Sequence, residues 1–437
     1  MESLKYISDG SHETCGGSSH ISRRTLFKGA GLSWLTSLSQ QLAIAENNAI
    51  SRPKSVIVIW LQGGASQLET FDPHPGSPIS FGGKSINTAV KGIQFAEGLP
   101  QTAELMNEFS VIRSVVSDEG DHARATHQIK TGYRPFPGLI HPSIGAIVCH
   151  ETAPINGAPA LIDIPTHVSI LPRKFPGRGG YLGAEFDAFK VGDPTRPVPD
   201  LKSLVSPVRQ ASRLSSLEVL ETSFAATRLP GLESERTLHR SLMDRARQMM
   251  NSDQLSAFDV NQAPQAEIDS YGNSPFGRGC LAALRLIDCG VRCVEVTLNG
   301  WDTHINNLDG QSTQAALLDP ALAALIHGLK ARDLYNDTVF LVGTEFGRTP
   351  KINLTEGRDH WPHGFSVLLG GGGLRGGLAI GATDPTGESE TPDNPVKVAD
   401  IHATVLQTLG IDPTYEMTTP IGRPLAISDG RVIKELL

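Results

Sequence analysis

The stretch Lys54-Ser55-Val56-Ile57-Val58-Ile59-Trp60-Leu61-Gln62-Gly63-Gly64-Ala65-Ser66 holds six consecutive apolar residues, four of them β-branched, and then breaks into a glycine loop. A run without polar alternation reads as a strand buried on both faces, the habit of a parallel sheet covered by helices. Outward from it the same grammar repeats. Phe109 to Val116 reads as a strand, and so do Val291 to Leu298, Thr338 to Val342 and Phe365 to Leu369. Between them, Phe276 to Cys289 is amphipathic and stops at Gly290, Asp319 to Leu329 is a second helix, and Asp400 to Leu409 is a third, stopped by Gly410. Alternating strands and helices predict an α/β fold with a mostly parallel central sheet between helices. Residues 137–207 are broken by Pro and Gly into short strands and loops. Residues 208–260 change character, with charged residues at helical spacing, and are expected to form a helical insertion.

Three of the apolar runs lead straight into polar loops. Val294 to Leu298 leads to Asn299-Gly300-Trp301-Asp302-Thr303-His304, Val339 to Val342 leads to Gly343-Thr344-Glu345-Phe346-Gly347-Arg348-Thr349-Pro350, and the first leads to Gln62-Gly63-Gly64. Ligands of open α/β sheets sit beyond the carboxyl ends of the strands, so these loops are expected on one rim. Asp302 and His304 are two apart and point the same way in extended backbone. Carboxylate oxygen with imidazole nitrogen suits zinc, manganese or iron better than calcium. Glu345 follows a neighbouring strand, and Arg358-Asp359-His360-Trp361-Pro362-His363 adds a second histidine loop. The alternatives are a hydrogen-bonded loop at Asp359 and His360 and a packing anchor at Trp361. A third cluster is Asp121-His122-Ala123-Arg124-Ala125-Thr126-His127, whose two histidines at i and i+5 do not share a helix face, so at most one turns to the rim. Arg348 offers a bidentate grip on phosphate, sulfate or carboxylate, or a salt bridge to Glu345 or Glu356.

The formal charge of −8 argues against nucleic acid or anionic lipid as the main partner. At the start, Ser22-Arg23-Arg24-Thr25-Leu26-Phe27-Lys28 precedes a weakly apolar stretch, Gly29 to Leu42, that closes on Ala43-Ile44-Ala45. Paired arginines, apolar stretch and small-x-small site occur in the order of a twin-arginine signal peptide over residues 1–45, with the functional molecule beginning near Glu46. That implies the twin-arginine export machinery as a partner, a periplasmic or extracellular location, and no membrane span after cleavage. Removing its four basic and three acidic residues leaves the remainder at −9. Residues 46–437 are then read as one domain. Cys149, Cys280, Cys289 and Cys293 make no disulfide framework; Cys289 and Cys293 flank Gly290 and either bridge or remain buried thiols.

Several segments together resemble one bacterial family, that called domain of unknown function 1501. They are the run from Asn336 to Pro350, Trp301-Asp302-Thr303-His304, Gly357 to Pro362, Leu61 to Pro73, and Tyr181-Leu182-Gly183, with the twin-arginine leader ahead of them. The resemblance implies an alkaline phosphatase/sulfatase-like fold and an ancestry in metal-dependent phosphate- or sulfate-ester hydrolysis. It implies metal ligands at Asp302, His304, Glu345 and His360 (or His363), holding a divalent cation, zinc or manganese foremost, with an anionic small-molecule or glycan ester as substrate. His122 then stands at the nucleophile's offset before Lys130-Thr131-Gly132-Tyr133, as acid/base or nucleophile, and Arg348 holds the substrate anion. Glu345-Phe346-Gly347 departs from the superfamily's Asp-His-Gly, and Gln62 stands where an Asp is usual. The competing expectation is a non-catalytic binding or assembly protein on the same scaffold, with a glycan or another exported protein as partner.

Overall fold

The apolar run after Lys54 forms strand β1 (Ser55–Gln62), buried from Ser55 to Leu61. Its alternate residues feed two separate cores: Ile57, Ile59 and Leu61 pack on one face of the sheet, Val56 and Val58 on the other. Burying each such side chain contributes about 1.5–3 kcal/mol, so a strand apolar on both faces is held from both sides. This is a computed structural model that describes residues 54–153, 162–199, 205–226, 243 and 245–437. Residues 1–45, expected from the sequence to be a signal peptide, lie outside the described residues.

Along the chain follow β2 (Phe109–Val116), α1 (His122–Thr131), α2 (Ile144–Glu151), β3 (His167–Ile170) and β4 (Phe189–Val191). Next come α3 (Pro207–Ala226), α4 (Pro275–Asp288), β5 (Cys293–Asn299), α5 (Asn307–Ala331) and β6 (Thr338–Gly343). The chain continues with β7 (Gly347–Arg348), β8 (His360–Trp361), β9 (Phe365–Gly371), β10 (Ala379–Ile380), β11 (Val396–Lys397) and α6 (Val398–Thr408). Nine strands form one sheet in the order β10-β2-β9-β6-β1-β5-β3-β4, with β11 beside β2. Six of its eight pairings are parallel, and only β9 runs against its neighbours. The α/β fold with a mostly parallel sheet, expected from the apolar runs, is the fold observed. Helices α4 and α5 cover one face through Leu281, Leu284, Leu322 and Leu325. Helices α2 and α6 cover the other through Ile147, Val148, Ile401 and Val405.

Helix α5 is longer than the expected 319–329 because it extends back through a polar first half to Asn307 and keeps Pro320 inside it. Helix α2 rises from a stretch expected to be loops and short strands, capped by the Ser143 side chain accepting from Ala146 N. Of the expected insertion, Pro207–Ala226 is helical, and 227–242 lies outside the described residues. The four cysteines of the described residues are free, so Cys289 and Cys293 do not bridge. No helix of the described residues is long and apolar enough to cross a membrane.

The consequence for function is geometric. Strands β1, β5, β6 and β2 all point their carboxyl ends to one rim, and antiparallel β9 brings its amino end there, with Phe365 beside Val115. Four loops after parallel strands and one loop before β9 therefore meet.

Candidate metal centre

Each rim loop is fixed locally before it contributes a side chain. At the end of β1, Gly63 and Gly64 take φ of +121° and +89°. A Cβ on Gly63 would stand 2.5 Å from Asp302 N, and one on Gly64 would stand 2.7 Å from the Phe346 ring, so only glycine lets these loops touch. After β2, Asp121 caps α1 by accepting from Ala123 N and Arg124 N at 3.1 and 3.2 Å. That sets His122 as the first helical residue, facing the rim. The β7–β8 ribbon pairs His360 opposite Arg348 and so carries the second histidine loop over the site.

Three imidazoles converge there, each with its Nδ1 already held. His122 Nδ1 lies 2.8 Å from Glu345 Oε1, His304 Nδ1 lies 2.8 Å from Asp359 Oδ1, and His360 Nδ1 donates to the Gly120 carbonyl at 2.8 Å. All three partners are acceptors, so each Nδ1 carries a proton and each Nε2 of a neutral ring presents a lone pair. Those Nε2 atoms gather around Asp302: His122 Nε2 is 3.3 Å from Oδ2, and those of His304 and His360 are 3.2 and 3.6 Å from Oδ1. His304 Nε2 and His360 Nε2 face each other at 3.1 Å. Two lone pairs at that separation repel, so a proton or a cation belongs between them. His122, Asp302 and His360 each offer a ligand atom within 4.8 Å of the others.

Buried groups brace this centre. Glu345 is fully buried and its Oε1 also accepts from Gly63 N at 2.9 Å. Phe346 lies under the His360 ring, centroids 4.3 Å apart. Asp302 is held well below the usual carboxylate range, first by the His122 hydrogen bond, then by His360 and Arg348. His122 is raised to about 9 by its hydrogen bonds to Asp302 and Glu345, against the opposing pull of burial.

The six residues singled out in the sequence thus share one rim, with different surroundings. Asp302, His304, His360 and His122 bring atoms of ligand type together. Glu345 does not face the same point; it holds the far nitrogen of His122. Arg348 departs from the expected substrate grip. Its side chain is fully buried, with Nε donating to Gly64 O at 2.9 Å, Nη1 to Arg358 O at 3.0 Å, and Nη2 to Gly63 O and to Asp302 Oδ1, the last at 2.7 Å. A guanidinium so committed has no face for an incoming anion; it positions Asp302. His363 packs against the Trp361 ring at 5.0 Å and stands apart, as does His127, whose ring lies 6.0 Å from His141. Asp121, Asp359, Phe346 and the buried Arg358–Glu69 pair (3.0 Å) support the site without having been assigned a part in it from sequence. The polar loop at 358–363 gave the one available signal, for Asp359.

The sequence profile described as "Protein of unknown function (DUF1501)" matches residues 53–437. The chain belongs to this family. No curated protein matches the DUF1501 chain. Among solved structures it is similar to a protein in the alkaline phosphatase superfamily from Vibrio parahaemolyticus, at 12% identity and a TM-score of 0.38, covering 89% of this chain and 71% of that one. It is similar to the PsFucS1 sulfatase from Pseudoalteromonas sp., at 11% identity and a TM-score of 0.39 over 85% of this chain and 71% of that one. A third is the C-terminal periplasmic domain of EcEptC from Escherichia coli in complex with Zn, at 10% identity and a TM-score of 0.38 over 87% and 90%. These overlaps are partial, and the chemistry of the DUF1501 site is read from its own atoms.

Proposed function

We propose that this DUF1501 protein is an exported, metal-dependent hydrolase of phosphate, sulfate or related esters, working at the Asp302 centre. The observation that supports it is the facing pair of Nε2 atoms at 3.1 Å, whose Nδ1 atoms are both held by acceptors, with a third imidazole and a carboxylate beside them. A proton relieves one such contact. A divalent cation relieves all of them together, and an N₃O or N₂O donor set with room for a further ligand suits zinc, with manganese next. When bound, such an ion supplies a Lewis acid and an activated water.

The chain's own residues have separable tasks. Asp302, His360 and His122 are the ligands placed closest together, and His304 adjoins them. Glu345 and Asp359 fix the tautomers of His122 and His304, as the outer carboxylates of metal-bound histidines do. Arg348 holds Asp302 and offsets its charge from below. Asp302 remains about half exposed, at 48%, so the centre opens to solvent on its substrate side.

A second reading is a non-catalytic binding or assembly protein on this scaffold, with a glycan or another exported protein as partner. The sealed guanidinium of Arg348 favours it, because the expected anion grip is spent on internal carbonyls. Mature protein assayed on p-nitrophenyl phosphate and p-nitrophenyl sulfate, with zinc or manganese and with a chelator, separates the two. Chelator-sensitive turnover of either ester, lost in Asp302→Ala, is the result expected of a hydrolase. Metal binding without turnover of any ester supports the binding protein.

A further inference from the structure

At the opposite end of the sheet, where β3 and β5 begin, a cavity of about 400 Å³ opens beside Arg292. The Arg292 backbone is tied into the sheet, its N–H donating to Thr166 O at 2.9 Å and its carbonyl accepting from Val56 N at 2.8 Å. Its side chain is not. The residue is only 7% exposed, Nη1 is sealed from solvent with no acceptor, and no hydrogen bond or ion pair to its guanidinium is found among the described residues. Burial pulls its guanidinium down, and the one group that offsets this is the Cys149 thiol, which burial pushes up to about 12 and so leaves uncharged. A guanidinium does not shed its proton at neutral pH, so a full charge stands here without a counter-ion. Proteins rarely keep such a group unless something completes it.

The walls say what that something is. Ile164, Phe186, Phe189 and Met249 make most of the lining apolar. Arg245 also lines it, exposed, as do Asp163, Glu185 and Asp187; these three carboxylates are all more exposed than Arg292, and none of them offsets its charge. Two of the three are already engaged, Asp163 with Gln248 Nε2 and Asp187 with Gly179 N. Three carboxylates would repel a dianion such as a phosphate ester, whereas the one buried guanidinium, that of Arg292, is a fork that matches one planar monoanion. The volume falls in the range of small-molecule sites.

We propose that this cavity is a binding site for a small amphiphilic carboxylate, its head paired with Arg292 and its hydrocarbon body along Phe186, Phe189 and Met249. The site is independent of the Asp302 centre, and its ligand is a monoanion with an apolar tail.

Calorimetric titration of the mature protein with decanoate, and with 1-decanol as the uncharged body of the same length, tests this. Decanoate should bind, with decanol at least ~10-fold weaker, the scale of losing a charge-assisted pair. Arg292→Met should erase the difference between the two, and Met249→Trp, which fills the cavity from its wall, should lose both. Asp302→Ala should leave decanoate binding unchanged, which keeps the result separate from the fate of the hydrolase reading. Without ligand, Arg292→Met should melt higher than wild type, since it removes a buried unpaired charge. The proposal is overturned if decanoate gives no heat at millimolar concentration, if decanol binds as tightly, or if Arg292→Met melts lower. The last result would show that water or protein already satisfies the guanidinium.

Discussion

Glu345 is the residue on which the orientation of the centre depends most. Its carboxylate is fully buried and shared between Gly63 N and His122 Nδ1, so it fixes a loop and a ring at once. Glu345→Leu fills similar space but removes Oε1, and with it the acceptor of Gly63 N and of His122 Nδ1 together. The expected result is a fall in zinc affinity of about 10–100-fold with the fold retained, measured by competition with a chromogenic chelator. Unchanged affinity would separate His122 from the metal altogether. At this scale the sequence was informative about Asp302, His304 and His360, because polar residues beyond buried apolar strands have few places to go but the rim. It was uninformative about Arg348. Whether a guanidinium faces solvent or is closed over depends on the β7–β8 ribbon and on the Gly63 and Gly64 carbonyls, which reach it across 285 and 284 residues of chain.

At the scale of elements, α1 is the part that joins the centre to the core. His122 opens it, and Lys130 near its end is 9% exposed and pairs with Glu295 of β5 at 2.8 Å, over the face of Trp60. Removing one partner of a buried pair strands the other charge. Lys130→Met is expected to destabilise by about 3–5 kcal/mol in denaturant unfolding, with Lys130→Met/Glu295→Leu recovering much of the loss. If the double variant is no better than the single one, the pair is not where the cost lies. Strands β1 and β6 were legible because unbroken apolar runs have one good solution, a strand covered on both sides. The short helix α2 was not, since its apolar residues sit in a Pro- and Gly-rich stretch and its only signal was the Ser143 cap. The first half of α5 was missed for the opposite reason. It is too polar to show an apolar stripe, and Asn307 and Gln311 are buried by loops rather than by the core.

For the whole molecule, the fold places two chemistries apart: titratable groups on the carboxyl rim, and neutral histidines within the packed layers. His402 of α6 is buried, donates to Ile129 O at 2.7 Å, and is pushed down to about 4 by burial, with that hydrogen bond opposing the shift. His141 is likewise pushed down to about 4, by burial first and then by His127. A histidine whose folded value lies below its unfolded value of 6.5 takes up its proton more readily when unfolded. Its stabilising contribution is complete above pH 6.5 and is lost as pH falls toward 4, up to about 3 kcal/mol per buried ring. The melting temperature should therefore drop steadily between those limits, and less steeply in His402→Gln. An unchanged slope in that variant would move the acid sensitivity elsewhere. Export belongs to this scale too. Arg23→Lys/Arg24→Lys should leave a longer precursor in the cytoplasm, seen by immunoblot of cell fractions, and normal amounts of mature protein outside would remove the twin-arginine assignment.

Every reading of the rim returns to whether a cation joins His122, His304, His360 and Asp302. Elemental analysis of native mature protein decides this most directly, alongside the Asp302→Ala and His304→Ala variants. About one divalent transition metal per chain is expected, with each variant binding at least ~10-fold more weakly. Wild-type protein that emerges metal-free, with a melting temperature unmoved by zinc or manganese, would contradict the account. The Asp302–Arg348 pair and the protonated histidines would then be the whole of the site.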